Sequence, residues 1–165
     1  DPRVRTVVDI GGQDSKVIRL NEDGSVKSFV MNDKCAAGTG RFLEMMAKTM
    51  EMSLDELSQV ALSYQEDITI SSMCTVFAES EVVSLIAQNK RTDDIVHGLN
   101  KAVAAKTASL VKRVGGEEAY MMTGGVAQNQ GLVKTLEERL GTKLVISDKS
   151  QLCGALGAAL FATEM

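Results

Sequence analysis

The sequence lacks the features that mark several large classes of protein. Its three cysteines in 165 residues, an odd number, do not fit the disulfide framework of a small secreted domain. Its charged residues carry a net charge of −4 and form no basic stripe, which argues against nucleic acid or an anionic membrane as a partner. No apolar run is long enough to span a bilayer, and no signal-peptide pattern is present. These absences predict a protein of the reducing cytoplasm.

Tryptophan is also absent and aromatic residues make up only 4%, whereas methionine occurs nine times. Because methionine is flexible, we expect a plastic core that is poor in aromatic side chains. The hydrophobic share of 44% and the charged share of 24% are ordinary for a folded domain. No internal repeat or low-complexity segment is visible, so a single domain over residues 1–165 is expected.

The order of apolar patterns predicts an α/β fold. Three β-branched runs, at 4–10, 16–20 and 26–31, are separated by turn residues and predict an antiparallel meander. Helical spacing follows, and Ser53 with Glu56 predicts a capping box at the start of the second helix. Two further helices and a β-α-β-α tail complete the order. The whole predicts a mixed sheet with helices on its faces.

A glycine turn joins the first two predicted strands through Asp9, Ile10, Gly11, Gly12, Gln13, Asp14, Ser15 and Lys16. The glycines let backbone amides approach a phosphate closely, while Ser15 and Lys16 add a hydroxyl and a cation. Asp9 ends the first strand, where a carboxylate could hold a magnesium ion or its water. A simple hairpin turn that happens to contain glycines is the alternative interpretation.

A second glycine turn, Thr123-Gly124-Gly125-Val126-Ala127-Gln128-Asn129, ends a predicted strand and opens a helix. Ligands often dock at such a position in an α/β sheet. The alternative is that these glycines only let the strand and the helix pack closely.

Cys35 and Cys74 each precede a predicted helix start, where unpaired amides and the helix dipole favour thiolates. Two such thiolates could hold a soft metal or an iron–sulfur cluster, although both could equally be ordinary free cysteines. Cys153 begins the last helix among small residues and is predicted to be a buried structural thiol. His97 is predicted to be a packed or solvated helix residue, and Glu79 with Glu81 a solvated acidic face.

Five segments of this sequence together resemble a known family: Val8–Lys16, Asn32–Phe42, Ser71–Glu81, Thr123–Ala127 and Cys153–Ala159. They resemble the activator component of 2-hydroxyacyl-CoA dehydratases and the related ATPase subunits of benzoyl-CoA reductases, within the actin and sugar-kinase superfamily. The resemblance implies a ribonuclease H-like actin-superfamily domain.

The same resemblance implies a set of site residues. Asp9 to Lys16 would be the second phosphate loop, and Thr123 to Ala127 the adenosine loop, for ATP or ADP with magnesium. Cys35 and Cys74 would ligate a 4Fe-4S cluster. Because such a cluster wants four thiolates and each chain offers two, a homodimer that shares one cluster is expected.

The activity implied is an ATP-driven electron transfer in anaerobic metabolism. A ferredoxin or flavodoxin would donate the electron, and a 2-hydroxyacyl-CoA dehydratase would accept it. The family also has an upstream half with a first phosphate loop, which this sequence does not contain. The chain is therefore expected to be the second half of the ATPase, to bind nucleotide weakly alone, and to expose Leu156 and Leu160 of its last helix. One alternative is a sugar-kinase-like nucleotide-binding domain or fragment without a cluster. Another is a structural interaction module that binds neither nucleotide nor cluster.

Overall fold

The computed structural model describes residues 1–71 and 74–163 and is built on a mixed β-sheet. The strands are Thr6–Ile10 (β1), Ser15–Leu20 (β2), Val26–Asn32 (β3), Tyr120–Thr123 (β4) and Leu144–Ile146 (β5). They lie in the order β3-β2-β1-β4-β5. Antiparallel pairing joins β1 to β2 and β2 to β3, whereas β4 is parallel to both β1 and β5. The predicted meander and mixed sheet are confirmed.

The α-helices are Gly40–Thr49 (α1), Leu54–Val60 (α2), Thr75–Ala87 (α3), Thr92–Val114 (α4), Gln130–Leu140 (α5) and Cys153–Thr163 (α6). The predicted capping box at α2 is confirmed. The hydroxyl of Ser53 accepts a hydrogen bond from the Glu56 amide, and the Glu56 carboxylate accepts one from the Ser53 amide at 2.7 Å. This reciprocal pairing satisfies two amides that a helix start leaves unpaired.

The core lies on one face of the sheet. Val8, Ile10, Val17 and Met122 point to this face and are fully buried among the helices. The opposite face carries a row of apolar side chains at one register, one from each strand, and none of them is fully buried: Phe29, Ile18, Val7, Met121 and Val145. Hence the two faces of the sheet are covered unequally.

Helix α6 leaves its apolar side chains open. None of its described residues is buried. Leu156 is 50% exposed and Leu160 is 57% exposed, so the expected exposure of this helix is confirmed.

Within residues 1–71 and 74–163, no helix is both long and apolar enough to cross a membrane.

Candidate functional site

The two glycine turns meet in one cleft of about 530 Å³. Because β1 and β4 are parallel neighbours, the turns that follow them lie at the same edge of the sheet. The first turn contributes Asp9, Gly11 and Gly12 to the lining, and the second contributes Gly124, Gly125 and Val126. Six of the predicted nucleotide-site residues are thus brought together.

Gln128 and Asn129, the last two residues of the second predicted turn, also line the cleft. The rest of the lining comes from residues that the sequence pattern does not single out as ligand contacts: Gly40, Leu43, Glu44, Leu54, Asp55, Ser58, Gln151 and Gly154. They come from α1, α2 and α6 and from the segment before α6, so no single motif joins them. Their only common sequence signal is proximity to a glycine turn or a helix start.

Asp9 is held in place at the edge of the cleft. Its Oδ2 accepts a hydrogen bond of 2.6 Å from the hydroxyl of Thr123, the residue opposite it on β4. Magnesium in proteins is usually bound through one or two carboxylates together with waters and substrate phosphates. A single carboxylate fixed here therefore suits the predicted magnesium role. Among the described residues, no group of three or more metal-ligating side chains is present.

Gly124 is required by the close contact between the two turns. Its φ is +87° and its ψ is 169°, a conformation essentially restricted to glycine. A Cβ atom at this position would lie 2.2 Å from the carbonyl oxygen of Ile10 at the end of β1. The Gly124 amide also donates to the Ser150 carbonyl at 3.0 Å, which ties this turn to the segment before α6.

The other predicted residues of the first turn lie outside the lining of the cleft. The Lys16 Nζ is 2.5 Å from Asp14 Oδ2, so its charge is already paired. Ser15 is buried, and its hydroxyl has no hydrogen-bond partner among the described residues. Gln13 of the first turn is exposed. Ala127 of the second turn lines a neighbouring pocket instead of the cleft. Their contact with nucleotide stays a prediction.

The first turn is bonded to the start of α1. The Gly40 amide donates to the Gly11 carbonyl at 2.8 Å, and the Arg41 amide donates to the Gly12 carbonyl at 2.7 Å. A Cβ at Gly40 would lie 3.1 Å from the Gly11 oxygen, so the approach is close. Two amides that a helix start leaves unpaired are satisfied by the turn itself.

Cys35 lies in the loop between β3 and α1 and is exposed. The Asn32 side chain donates to the carbonyls of Cys35 and Ala37, at 2.9 and 3.1 Å, and so braces this loop. A helix follows Cys35, as predicted, but it does not begin directly after the cysteine. Gly38 turns the chain with φ +85°, and α1 begins only at Gly40.

Cys74 is also exposed, and it is the N-cap residue of α3. The predicted helix start after this cysteine is confirmed, and the thiol lies at the positive end of the helix dipole. Ser72 and Met73, which belong to the same predicted segment, lie outside the described residues.

The predicted solvated acidic face after Cys74 is wrong. Glu79 and Glu81 are both partly buried and both accept hydrogen bonds. Glu79 accepts one from the Thr49 hydroxyl at 3.0 Å, which joins α3 to the end of α1. Glu81 accepts from the amide and hydroxyl of Ser71. Contacts with residues distant in sequence determine these environments.

The environment of Cys153 differs from the predicted one. Cys153 is only partly buried, and its thiol lies 3.5 Å from the Lys149 carbonyl, so the prediction of a buried thiol is wrong. The reason is that α6 buries none of its described residues.

His97 is packed as expected, with its ring stacked on Tyr64 at a centroid distance of 3.5 Å. Burial lowers the pKa of His97 below its usual value.

Comparison with known proteins identifies relatives of this chain. The chain is 50% identical, over 163 residues, to the 2-hydroxyisocaproyl-CoA dehydratase activator of Clostridioides difficile. The match covers 99% of this chain and 61% of that protein, so the chain spans about three fifths of this relative. A solved structure of an activator of the same name from Clostridium difficile, with bound ADPNP, has a TM-score of 0.96 at 49% identity, covering 99% of this chain and 61% of that one.

More distant structures share the fold alone. MreB 5 of Spiroplasma citri, bound to AMPPNP, has a TM-score of 0.50 at 14% identity, covering 99% of this chain and 54% of that one. The actin-superfamily α/β fold expected from the sequence is thereby confirmed. The model of the BadF/BadG/BcrA/BcrD ATPase family matches residues 1–162, and the chain therefore belongs to that family.

Proposed function

We propose that this chain is the cluster-bearing half of an ATP-dependent activator of a 2-hydroxyacyl-CoA dehydratase. In this proposal two copies share one 4Fe-4S cluster, a ferredoxin or flavodoxin donates an electron, and the dehydratase accepts it. The family membership and the relative that is named as such an activator support the proposal.

The donor set fits half of such a cluster. Iron–sulfur clusters are held by cysteine thiolates, usually four. Cys35 and Cys74 are both free and exposed, so neither thiol is consumed by a disulfide or by the core. Two copies related by a two-fold axis would together supply four thiolates. When bound, such a cluster supplies one-electron transfer at a low potential.

The observation that carries the proposal is the connection between the cleft and the Cys35 loop. The amides of Gly40 and Arg41, at the start of α1, donate to the carbonyls of Gly11 and Gly12 in the cleft. A nucleotide phosphate held by the amides of this glycine turn would therefore act on a turn that is bonded to α1. The Cys35 loop is continuous with that helix start. Within the loop, the Thr39 hydroxyl donates a hydrogen bond of 2.6 Å to the Ala36 carbonyl. The chain's own backbone thus links phosphate binding to the position of one thiol.

Apolar side chains beside Cys74 support a dimer there. Val76 and Phe77, in the first turn of α3, are 62% and 64% exposed. Side chains of this size are usually buried, and contiguous apolar surface of this kind often marks an interface. A two-fold axis near Cys74 would bring these side chains of both copies together.

The chain would supply one side of the nucleotide cleft. The partly open apolar row on the sheet and the exposed face of α6 are surfaces that a second half could cover. The adjoining cleft is lined by Gly154 of α6 and Gln151 just before it, beside both glycine turns. A half-site of this kind would hold ATP or ADP weakly on its own.

Anaerobic reconstitution with iron and sulfide tests the proposal. The protein should develop a broad brown absorbance that dithionite bleaches, with about two irons per chain in a dimer. Cys35→Ser and Cys74→Ser should lose the absorbance and weaken the dimer together, whereas the control Cys153→Ser should keep both.

Four irons per monomer would contradict the shared cluster, and so would a Cys74→Ser variant that keeps its spectrum. A protein that gains no absorbance at all would favour a nucleotide-binding domain without a cluster.

A further inference from the structure

The segment that leads to Cys74 is held by side-chain carboxylates instead of by a sheet. In the described part of the chain, residues 64–71 belong to no strand. Two of the backbone amides there, those of Gln65 and Glu66, donate to Asp94 Oδ1 at 2.7 and 2.8 Å. Asp94 is buried in the first turn of α4. Backbone amides that leave water need a partner, and this carboxylate provides one for two of them.

Further contacts hold the same segment on α4. Ile68 and Ile70 are buried in the core, and the ring of Tyr64 stacks on His97. Gly98 lets the segment approach the helix, because a Cβ there would lie 3.0 Å from the Ile68 carbonyl oxygen. The backbone is thus fixed against α4 as far as Ile70.

At Ser71 the chain passes from α4 to α3, and Glu81 binds it there. The Ser71 amide lies 3.0 and 3.1 Å from the two carboxylate oxygens of Glu81. The Ser71 hydroxyl lies 3.0 Å from Oε2. Cys74 follows three residues later and is the N-cap of α3, the helix to which Glu81 belongs. Ser71 and Cys74 are therefore both attached to one helix.

We propose that Glu81 is a positioning residue for the Cys74 thiol. By holding Ser71 on α3, it limits the positions that Cys74, three residues further along the chain, can take. This inference rests on the proposed function, in which Cys74 is a cluster ligand. Residues around a metal ligand that orient it commonly affect how well the metal is held.

The chemistry of a carboxylate suits this role. Its two oxygens can accept from an amide and a hydroxyl at once, and hydrogen bonds to a charged acceptor are stronger than neutral ones. Glutamine at position 81 would keep one acceptor for the Ser71 amide and could donate to the Ser71 hydroxyl. Alanine would lose all of these bonds.

The chain offers a matched control in Glu79. It lies on the same helix, carries the same charge and accepts from Thr49 instead of Ser71. Glu79→Ala therefore removes the same charge from α3 and leaves the Ser71 bonds in place. Glu81→Ala and Glu79→Ala therefore differ in whether Ser71 stays bonded to α3.

Two measurements on the cluster-free protein test the attachment itself. Hydrogen exchange at the Ser71 amide should accelerate at least about tenfold in Glu81→Ala, as expected for loss of a hydrogen bond to a charged group. Alkylation of Cys74 by iodoacetamide, with Cys35 and Cys153 replaced by serine, should also be severalfold faster. Glu79→Ala should match the wild type in both, and Glu81→Gln should lie between.

A third measurement uses the reconstituted protein. A chelator should remove iron severalfold faster from Glu81→Ala than from Glu79→Ala, and the electron paramagnetic resonance spectrum after dithionite reduction should change only in the former. If Glu81→Ala fails to fold, the comparison is made with Glu81→Gln, which keeps one acceptor.

Equal Ser71 exchange or equal Cys74 alkylation in the two alanine variants would overturn the inference. Equal rates of iron loss would also overturn it. If the wild type takes up no iron, the proposed cluster function fails, and the exchange and alkylation rates still decide whether Glu81 positions Cys74.

Discussion

Replacing Gly124 by alanine should destabilise the protein strongly, because the new methyl group would enter the backbone of β1. The Cβ would lie 2.2 Å from the Ile10 carbonyl oxygen and 2.6 Å from its carbon. These are backbone atoms of the central strand of the sheet, so they cannot swing away as a flexible side chain could. A non-glycine residue in this conformation costs about 1–3 kcal/mol, and overpacking adds about 1–3 kcal/mol. The free energy of unfolding should therefore fall by about 2–6 kcal/mol.

Two glycine controls separate the causes. Gly125→Ala has its nearest contact at 3.7 Å and no positive φ, so its change should stay within about 0.5 kcal/mol. Gly24 has φ +83° with no described atom within 4 Å of the added carbon, so alanine there should cost only the conformational strain, about 1–2 kcal/mol. Urea unfolding followed by circular dichroism measures all three. A Gly124→Ala variant as stable as Gly24→Ala would refute the clash.

Three further outcomes are expected. Because burial lowers the pKa of His97, the unfolded state binds this proton more tightly, and the free energy of unfolding should fall as the pH decreases below about 6.5. In His97→Gln, the free energy of unfolding should depend less on pH in this range. A pH dependence parallel to that of the wild type would contradict this, because the charged groups around position 97 are unchanged: Asp67, Asp94, Lys101 and Glu138. Ser53→Ala should cost about 1 kcal/mol by removing the cap that Glu56 completes, while Ser53→Asp should keep most of it; equal losses would argue against the cap. Calorimetry should find weak or no ADP binding to this chain alone, and submicromolar binding would contradict the half-site.

The features that the sequence determined by itself are those carried by neighbouring residues. The capping box needs only Ser53 and Glu56, three positions apart, and the meander needs only short apolar runs with turns between them. The glycine turns and the segments around Cys35 and Cys74 are likewise continuous in sequence. Local backbone preferences and side-chain period act over a few residues, so a linear pattern is enough to predict them.

The sites depended on contacts that no local pattern contains. The hydrogen bond between Asp9 and Thr123 joins residues 114 positions apart, and it exists because β1 and β4 pair in parallel. The same pairing places Gly124 against Ile10 and so explains why only glycine fits. Glu81 looks like a solvated acid in sequence, and only the proximity of Ser71 to α3 gives it a hydrogen-bond partner ten positions away. Such environments arise because the tertiary structure decides which distant backbone groups lose water and must find a partner.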